Sequence, residues 1–331
     1  CACITPWNSA LLLMAWKVAP ALAAGNTVVI KPSEETSAST LEFAALLNKT
    51  SIPQGVVNVV TGYGHEVGAA LVSHPKVRKI AFTGGESGGR AVNTAAAHDF
   101  KRVTLELGGK SANIVFDDAN FDNALDGAIS GIFAATGQTC IAGSRLLLQR
   151  SIHDEFLRRL VDKVRGIKFG DPMDSKTQVG PVTTKAQYDT ILSYIEIAHN
   201  EGARCVLGGK PAAQPEFTKG YFVEPTIFVD VTTDMRIAQE EVFGPVLAVL
   251  PFENDDEAIA IANDVNYGLA AGVWTNDLTR SLKMADKLQA GTVWVNTYRS
   301  TSYTTPFGGY KLSGIGRENG AEAIKEYTQT K

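Results

Sequence analysis

Short β-rich runs alternate with helical patterns through the first hundred residues of the chain. The β-rich runs are "CACIT", "GNTVVIKPS", "GVVNVVTG", "VRKIAFTG" and "RVTLELGG". The predicted helices that separate them are Ser9 to Ala24, "SEETSASTLEFAALLNK" with Ser33 as its N-cap, "HEVGAALVSH" and "GGRAVNTAAAH". Parallel strands need long crossover connections, which are usually helices, so this alternation predicts an α/β fold with a doubly wound parallel sheet. Ligands bind such sheets at the carboxyl ends of the strands, which here carry "PWN", "KPSE", "TGYG", "FTGGESGG" and "ELGGK".

After Gly109 strands and helices alternate again, which predicts a second α/β domain. The predicted helices of this part are 123–135, 153–166, 185–201, 255–263 and 277–288. The predicted strands are "SRLLLQR", "VLAVLPF", "AAGVWT" and "GTVWVN". We therefore expect three segments, 1–108, 109–300 and a loop-rich tail over 301–331.

Composition narrows the class of protein. The 331 residues carry a formal net charge of −4 and no basic block, so a nucleic-acid partner has no electrostatic support. The longest apolar stretch, "ALLLMAWKVAPALAAG", is interrupted by Lys17 and Pro20 and is too short to span a bilayer. We therefore expect it to form a buried helix, and we expect no membrane partner. The 4 cysteines form no C-x-x-C pair and the 5 histidines are scattered, so we expect no disulfide framework, no metal site and a cytoplasmic location.

The chain opens "CACITPW", with neither an initiator Met nor the basic region of a signal peptide. We expect it to begin inside a larger protein.

Two glycine-rich loops, "TGYGHEVG" and "FTGGESGG", each follow a predicted strand and precede a predicted helix. In that setting glycine lets backbone N–H groups approach a phosphate at a helix N-terminus. Neither loop has the full G-x-G-x-x-G spacing, so an ordinary tight turn stays an alternative. Lys31, at the end of a strand and followed by Pro-Ser-Glu, is either a ligand of ribose hydroxyls or a surface lysine.

Glu106 lies in the apolar strand "VTLELGG", where alternation places Leu105 and Leu107 on the opposite face. Burial raises the pKa of such a carboxyl and suits it to general-base chemistry. A glutamate in a structural salt bridge is the alternative.

Cys140 lies in "ATGQTCIAGSR", among small and polar residues, whereas a packing cysteine usually lies among large apolar ones. It is therefore either an accessible nucleophile or a thiol without function. Cys205, in "GARCVLGG", alternates with Val and Leu and is predicted to pack in the core.

Six segments together are more specific than any one of them. They are "PWNSALLLMAWKVAPALAAGNTVVIKPSEETS", "FTGGESGGR", "TLELGGKSANIVFDDAN", "GQTCIAGSR", "EEVFGPV" and "PFGGYKLSGIGRE". In this order they resemble the NAD(P)-dependent aldehyde dehydrogenase superfamily, of the hydrolytic, carboxylate-forming type. The resemblance runs along the whole chain. It implies a Rossmann-like dinucleotide-binding domain over 1–108, a catalytic domain over 109–300, and a C-terminal loop and helix over 301–331 that return over the active site.

The resemblance also implies roles for individual residues. Cys140 matches the nucleophile, Glu106 the general base and Asn8 a donor to the oxyanion, while Lys17 and Glu318 match positions that relay protons. Within the cofactor site, Lys31 and Glu34 match the pair at the adenosine ribose, and Glu241 and Phe243 match residues at the nicotinamide riboside. The full set of expected cofactor-binding residues is Thr5, Pro6, Trp7, Lys31, Ser33, Glu34, Gly64, Gly68, Gly84, Gly85, Leu107, Glu241 and Phe243. The chain departs from the family at Gly85, where serine is common.

The implied reaction oxidises an aldehyde to a carboxylic acid through a thiohemiacetal and a thioester on Cys140. A carboxylate at Glu34 would accept hydrogen bonds from ribose hydroxyls and repel a 2′-phosphate, which favours NAD, with NADP left open. Relatives of this kind are homodimers or homotetramers.

Three alternatives remain from the sequence. They are a CoA-acylating relative, a dinucleotide-binding or structural relative without turnover, and a cysteine hydrolase. Relatives that acylate CoA tend to lack the glutamate of "ELGGK", so Glu106 argues against the first. The substrate is not evident from the sequence: Arg299 is either a contact for an acidic aldehyde or an ordinary exposed loop arginine.

Overall fold

The computed structural model describes residues 1–213, 217 and 219–331. Contacts divide the chain into two units, one formed by Cys1–Gly108 together with Thr301–Lys331, the other by Gly109–Ser300. Residues 301–331, which the sequence suggested as a separate segment, thus belong to the first unit.

The strands are β1 (Ala2–Ile4), β2 (Val28–Lys31), β3 (Val57–Val59), β4 (Lys79–Thr83), β5 (Arg102–Glu106), β6 (Ala112–Val115), β7 (Arg145–Gln149), β8 (Arg204–Leu207), β9 (Thr226–Val229), β10 (Val246–Phe252), β11 (Tyr267–Gly268), β12 (Ala270–Trp274), β13 (Thr292–Val295), β14 (Tyr310–Lys311) and β15 (Gly314–Ile315). The α-helices are α1 (Ala10–Ala23), α2 (Ser37–Leu47), α3 (Ala69–Ser73), α4 (Glu86–His98), α5 (Phe121–Phe133), α6 (His153–Arg165), α7 (Lys185–Asn200), α8 (Arg236–Gln239), α9 (Asp255–Asn263) and α10 (Leu278–Lys287).

The first unit contains a six-stranded sheet in the order β15-β5-β4-β1-β2-β3. Strands β1 to β5 are parallel, which confirms the predicted doubly wound sheet, and β15 from the tail pairs antiparallel with β5. Alternation along β1 sends Ala2 and Ile4 into the core on one face of the sheet and Cys3 into the core on the other. The carboxyl ends of all five parallel strands therefore share one edge.

Two helices of the first unit differ from their predictions. The segment "HEVGAALVSH" was predicted as one helix, but residues Gly64–Gly68 form a π-helical turn and only Ala69–Ser73 are α-helical. Ser33 caps a 3₁₀ turn, Glu34–Thr36, and the α-helix begins after it at Ser37.

The second unit contains a seven-stranded sheet in the order β13-β12-β6-β7-β10-β9-β8, parallel except that β8 runs antiparallel to β9 at the edge. Three of its strands, β6, β8 and β9, were missed from the sequence. Every residue of β6 and β9 is buried, so neither strand shows the polar alternation that identifies a half-buried strand. Cys205 lies on edge strand β8, half-buried against the core.

None of the helices in the described ranges combines the length and the apolar character needed to cross a bilayer.

Candidate active site

Cys140 follows a strained turn at the end of α5. Beyond Phe133 the chain forms a 3₁₀ turn over Ala134–Gly137, in which Ala135 and Thr136 have φ of 53° and 57°. A left-handed backbone is rare for a β-branched residue such as Thr136, and each such residue costs on the order of 1–3 kcal/mol. The turn is held from outside, because Thr136 Oγ1 donates to the Gly180 carbonyl at 3.1 Å.

Two glycines let main chain pack closely against this turn. A Cβ at Gly137, where φ is 70°, would lie 2.0 Å from the Gly244 oxygen. A Cβ at Gly109 would lie 2.5 Å from the Cys140 oxygen. Gly137 therefore permits a close backbone contact in the turn that precedes the thiol. Cys140 itself is partly exposed and forms no disulfide within the described residues.

Tyr298 and Arg299 attach to the chain on either side of Cys140. The Tyr298 hydroxyl donates to the Ile141 carbonyl at 3.0 Å, and Arg299 Nη1 donates to the Ala134 carbonyl at 3.1 Å. Tyr298 thus holds the chain just after Cys140, and Arg299 holds the start of the turn that precedes it. Neither contact could be predicted from the sequence, because 157 residues separate Tyr298 from its partner and 165 separate Arg299 from its own.

The second unit also holds the predicted residues Glu241 and Phe243. Glu241 Oε1 accepts a hydrogen bond from the Gly109 backbone at 3.0 Å, next to the close contact of Gly109 with Cys140. Phe243 is left-handed, with φ of 56°, and its carbonyl accepts from Gln187 Nε2 at 3.1 Å. The structure therefore places Glu241 beside the main chain that packs on Cys140.

In the first unit, Glu106 ends β5 and is 3% exposed. Neither of its carboxyl oxygens has a hydrogen-bond partner among the described residues. Burial, and secondarily the charge of Glu318, raise the pKa of the Glu106 carboxyl well above its usual range, while Lys17 and Arg317 act in the opposite direction. Gly308, which sequence reasoning missed, leaves room for this carboxyl, since a Cβ there would lie 2.9 Å from Oε1.

The structure brings Lys17 and Glu318 together. Lys17 Nζ lies 2.7 Å from Glu318 Oε1, and the two side chains are 0% and 1% exposed. The Thr83 hydroxyl, at the end of β4, accepts from the same Nζ at 2.6 Å. Thr83 was not expected in the site, and only its place at a strand end could have pointed to it.

Asn8 lies half-buried just before α1, and Ser9 enters that helix with φ of 49°. No hydrogen bond involves the Asn8 amide in the described ranges, so its N–H groups are free to donate to a ligand. Thr5 is held by its backbone, which donates to the Lys31 carbonyl at 3.1 Å, and its buried hydroxyl has no partner among the described residues. Pro6 and Trp7, which lie between Thr5 and Asn8 in the chain, are both partly buried.

A cavity of about 450 Å³ lies over the carboxyl edge of the first sheet. Lys31, Gly64, Gly68 and Phe82 are among its lining residues, so three predicted cofactor residues meet there. Lys31 Nζ donates to the Pro32 carbonyl at 2.8 Å and lies 3.4 Å from Glu34 Oε2, which places Glu34 at this edge as well.

The glycines of "FTGGESGG" serve packing as well as access. A Cβ at Gly84 would lie 2.6 Å from Phe82 Cζ, and a Cβ at Gly89 would lie 2.6 Å from Leu107 Cδ2. Gly85, the first residue outside α4, has open space where a side chain would be. Ser33 accepts from the Glu35 backbone at 3.3 Å, which directs its hydroxyl to the turn.

The described residues include no group of three or more His, Cys, Asp or Glu side chains that could hold a metal ion.

A doubly wound parallel sheet with a cavity over its carboxyl edge is the arrangement of dinucleotide-binding proteins. The chain belongs to the aldehyde dehydrogenase family, whose model matches residues 1–331.

Several relatives are similar along the whole chain. Betaine aldehyde dehydrogenase of Brucella anthropi is 49% identical over 331 residues, which are 100% of this chain and 68% of that protein. An aldehyde dehydrogenase of Aspergillus niger is 49% identical over 332 residues, covering 100% of this chain and 66% of that protein. The crystal structure of betaine aldehyde dehydrogenase from Staphylococcus aureus in complex with NAD+ superposes with a TM-score of 0.97 at 45% identity, covering 98% of this chain and 65% of that one. The chain thus spans about two thirds of the length of these relatives.

Proposed function

We propose that the protein oxidises an aldehyde to a carboxylic acid with NAD+. The observation that carries this proposal is Cys140, a partly exposed thiol at the end of a strained and externally held turn, in a chain that belongs to the aldehyde dehydrogenase family. The first unit would bind the dinucleotide, the second would supply the nucleophile, and residues 301–331 would complete the first unit's part of the site.

In the first half of the reaction, the Cys140 thiolate attacks the aldehyde carbon and forms a thiohemiacetal. The Asn8 amide, which has free N–H groups, donates to the resulting oxyanion. Removal of one such donor typically lowers the rate by about 100- to 1000-fold. NAD+, when bound, accepts the hydride that leaves the thiohemiacetal carbon, and a thioester on Cys140 remains.

In the second half, Glu106 takes a proton from water, which attacks the thioester and releases the acid. A carboxyl with a raised pKa is a stronger base than an ordinary one when it is ionised, which suits this step. Burial is the main cause of the raised pKa of the Glu106 carboxyl, and in the buried pair Glu318 raises that pKa further while Lys17 lowers it. We propose that this pair and Thr83 pass the proton onward.

The cavity at the carboxyl edge fits the adenosine half of NAD+. Its volume of about 450 Å³ lies within the range of small-molecule sites, about 300–1,000 Å³. The Glu34 carboxylate would accept from ribose hydroxyls and repel a 2′-phosphate, so NAD is preferred to NADP. Glu241 and Phe243 would contact the nicotinamide end.

The protein is further proposed to act as a homodimer or homotetramer in a reducing, cytoplasmic environment. None of the 4 cysteines forms a disulfide within the described residues, which agrees with such an environment.

An absorbance assay for NADH on the full-length protein, with butanal as the aldehyde, tests the proposal. We expect NADH production that does not need CoA and that Cys140→Ser abolishes without loss of NAD+ binding. Turnover that requires CoA would indicate the acylating alternative, and full activity of Cys140→Ser would contradict the assignment of the nucleophile.

A further inference from the structure

Arg299 is a half-buried arginine with an unusual setting. Its backbone is left-handed, with φ of 61°, directly after the buried Tyr298. Its Nη1 donates to the carbonyl of Ser130 in the last turn of α5, at 3.5 Å, and to the carbonyl of Ala134, the residue after the helix, at 3.1 Å. This guanidinium is therefore anchored at the start of the turn that carries Cys140.

Within the part of the chain that the structure describes, the positive charge of Arg299 has no acidic partner. Among the described residues, no carboxylate lies within 4.0 Å of its guanidinium, and both of its hydrogen bonds use Nη1. Carbonyls at a helix C-terminus compensate a cation only in part. A buried charge without a counter-ion is costly, and the donors on Nε and Nη2 remain available in a planar fork.

The electrostatic surroundings agree with this geometry. Burial lowers the pKa of the Arg299 guanidinium below its usual range, and Tyr298 and Cys140 are the side chains that oppose this shift. The guanidinium is held by the Ala134 carbonyl at the start of the turn that leads to Cys140. A cation held there without a counter-ion favours an anion brought by the substrate.

We infer that Arg299 binds a carboxylate of the substrate, so that the preferred substrate is an aldehyde bearing an acidic group. Arginine suits this task, because its fork pairs with both oxygens of a carboxylate. This inference rests on the proposed function and names the substrate class of the same site. The relatives from Brucella anthropi and Staphylococcus aureus are named for betaine aldehyde, a cation, which Arg299 would repel in this chain.

The test compares three aldehydes on the full-length protein: succinic semialdehyde, neutral butanal and cationic betaine aldehyde. We expect kcat/KM to fall in that order, with about 10- to 100-fold between the anionic and the neutral aldehyde, the usual size of a charge-assisted hydrogen bond. Oxidation of butanal without a preference for the acid, or a preference for betaine aldehyde, would overturn this inference and leave the proposed function standing. Failure to oxidise any of the three would overturn the proposed function.

Variants then separate binding from positioning of the turn. Arg299→Gln should remove most of the preference for succinic semialdehyde over butanal, mainly through KM, and Arg299→Lys should restore part of it. Arg204→Gln is the matched control, because that arginine is exposed and paired with Asp230 at 2.7 Å, and it should leave the preference unchanged. If Arg299→Gln lowered kcat equally for both aldehydes and kept the preference, Arg299 would only hold the turn.

Discussion

Lys17 and Glu318, 301 residues apart in the sequence, form a buried ion pair. Lys17 Nζ lies 2.7 and 2.8 Å from the two carboxylate oxygens of Glu318. The pair joins α1 to the tail of the first unit, and the charge of Glu318 acts on the buried carboxyl of Glu106. One contact therefore bears on both the stability of the unit and the proposed base.

Substitution of Lys17 should destabilise the protein strongly. In Lys17→Met the Glu318 carboxylate stays buried without its cation, which typically costs about 3–5 kcal/mol of unfolding free energy. The double variant Lys17→Met/Glu318→Leu should recover much of this loss, since it removes both charges. Urea denaturation measures the effect. Arg204→Met, which breaks the exposed pair with Asp230, is the control and should cost less than about 1 kcal/mol.

The pH dependence of turnover should report on Glu106. The base must be ionised to accept a proton, so turnover limited by thioester hydrolysis should fall as the pH is lowered through the raised pKa of Glu106. The midpoint of this acid limb should therefore lie at a pH above the ordinary pKa of a glutamate side chain, which is about 4.3.

A substitution at Glu318 should move that limb in a defined direction. Glu318 raises the pKa of Glu106 and Lys17 lowers it, so Glu318→Gln should shift the acid limb of kcat to lower pH. A shift to higher pH, or an unchanged limb in an active variant, would contradict the coupling.

Gly137 should not tolerate a side chain. Gly137→Ala would place an alanine in a left-handed backbone conformation, which is strained. Its Cβ would lie 2.0 Å from the Gly244 oxygen, so the turn before Cys140 must shift. We expect a loss of about 2–4 kcal/mol in stability and at least a 100-fold loss of kcat. Gly25→Ala is the matched control, with φ of 78° and nothing within 4 Å, and should cost about 1 kcal/mol without loss of kcat.

Glu34 should control the choice of cofactor. Glu34→Gln removes the charge that repels a 2′-phosphate and keeps Lys31 in place, so KM for NADP should fall by about 10-fold while KM for NAD rises. Glu35→Gln, at the exposed neighbouring position, serves as control. An unchanged NADP to NAD ratio in Glu34→Gln would place Glu34 away from the ribose.

The sequence predicted the elements of secondary structure that local residue patterns determine, and it did not predict contacts between residues far apart in the chain. The strands of the first sheet were predictable because helices separate them, whereas β6 and β9 are buried on both faces and lack alternation. Burial of Glu106 followed from its apolar strand. The contacts of Lys17 with Glu318 and of Tyr298 with Ile141 join residues far apart in the chain, so neither pairing was predicted. Family resemblance implied only that Lys17 and Glu318 both match positions that relay protons. The strain at Thr136 carries no sequence signal at all.

The most direct test of the account is rapid mixing of full-length Glu106→Gln with NAD+ and butanal, followed by intact-protein and peptide mass spectrometry. Without its base the enzyme should form the thioester and release it slowly, with steady-state turnover lowered by about 100- to 10,000-fold. We predict a burst of NADH and a butyryl group on Cys140 that disappears at the rate of the slow phase. A variant that turns over at the wild-type rate, or that accumulates no acyl group on Cys140 while it makes NADH, would contradict the central claim.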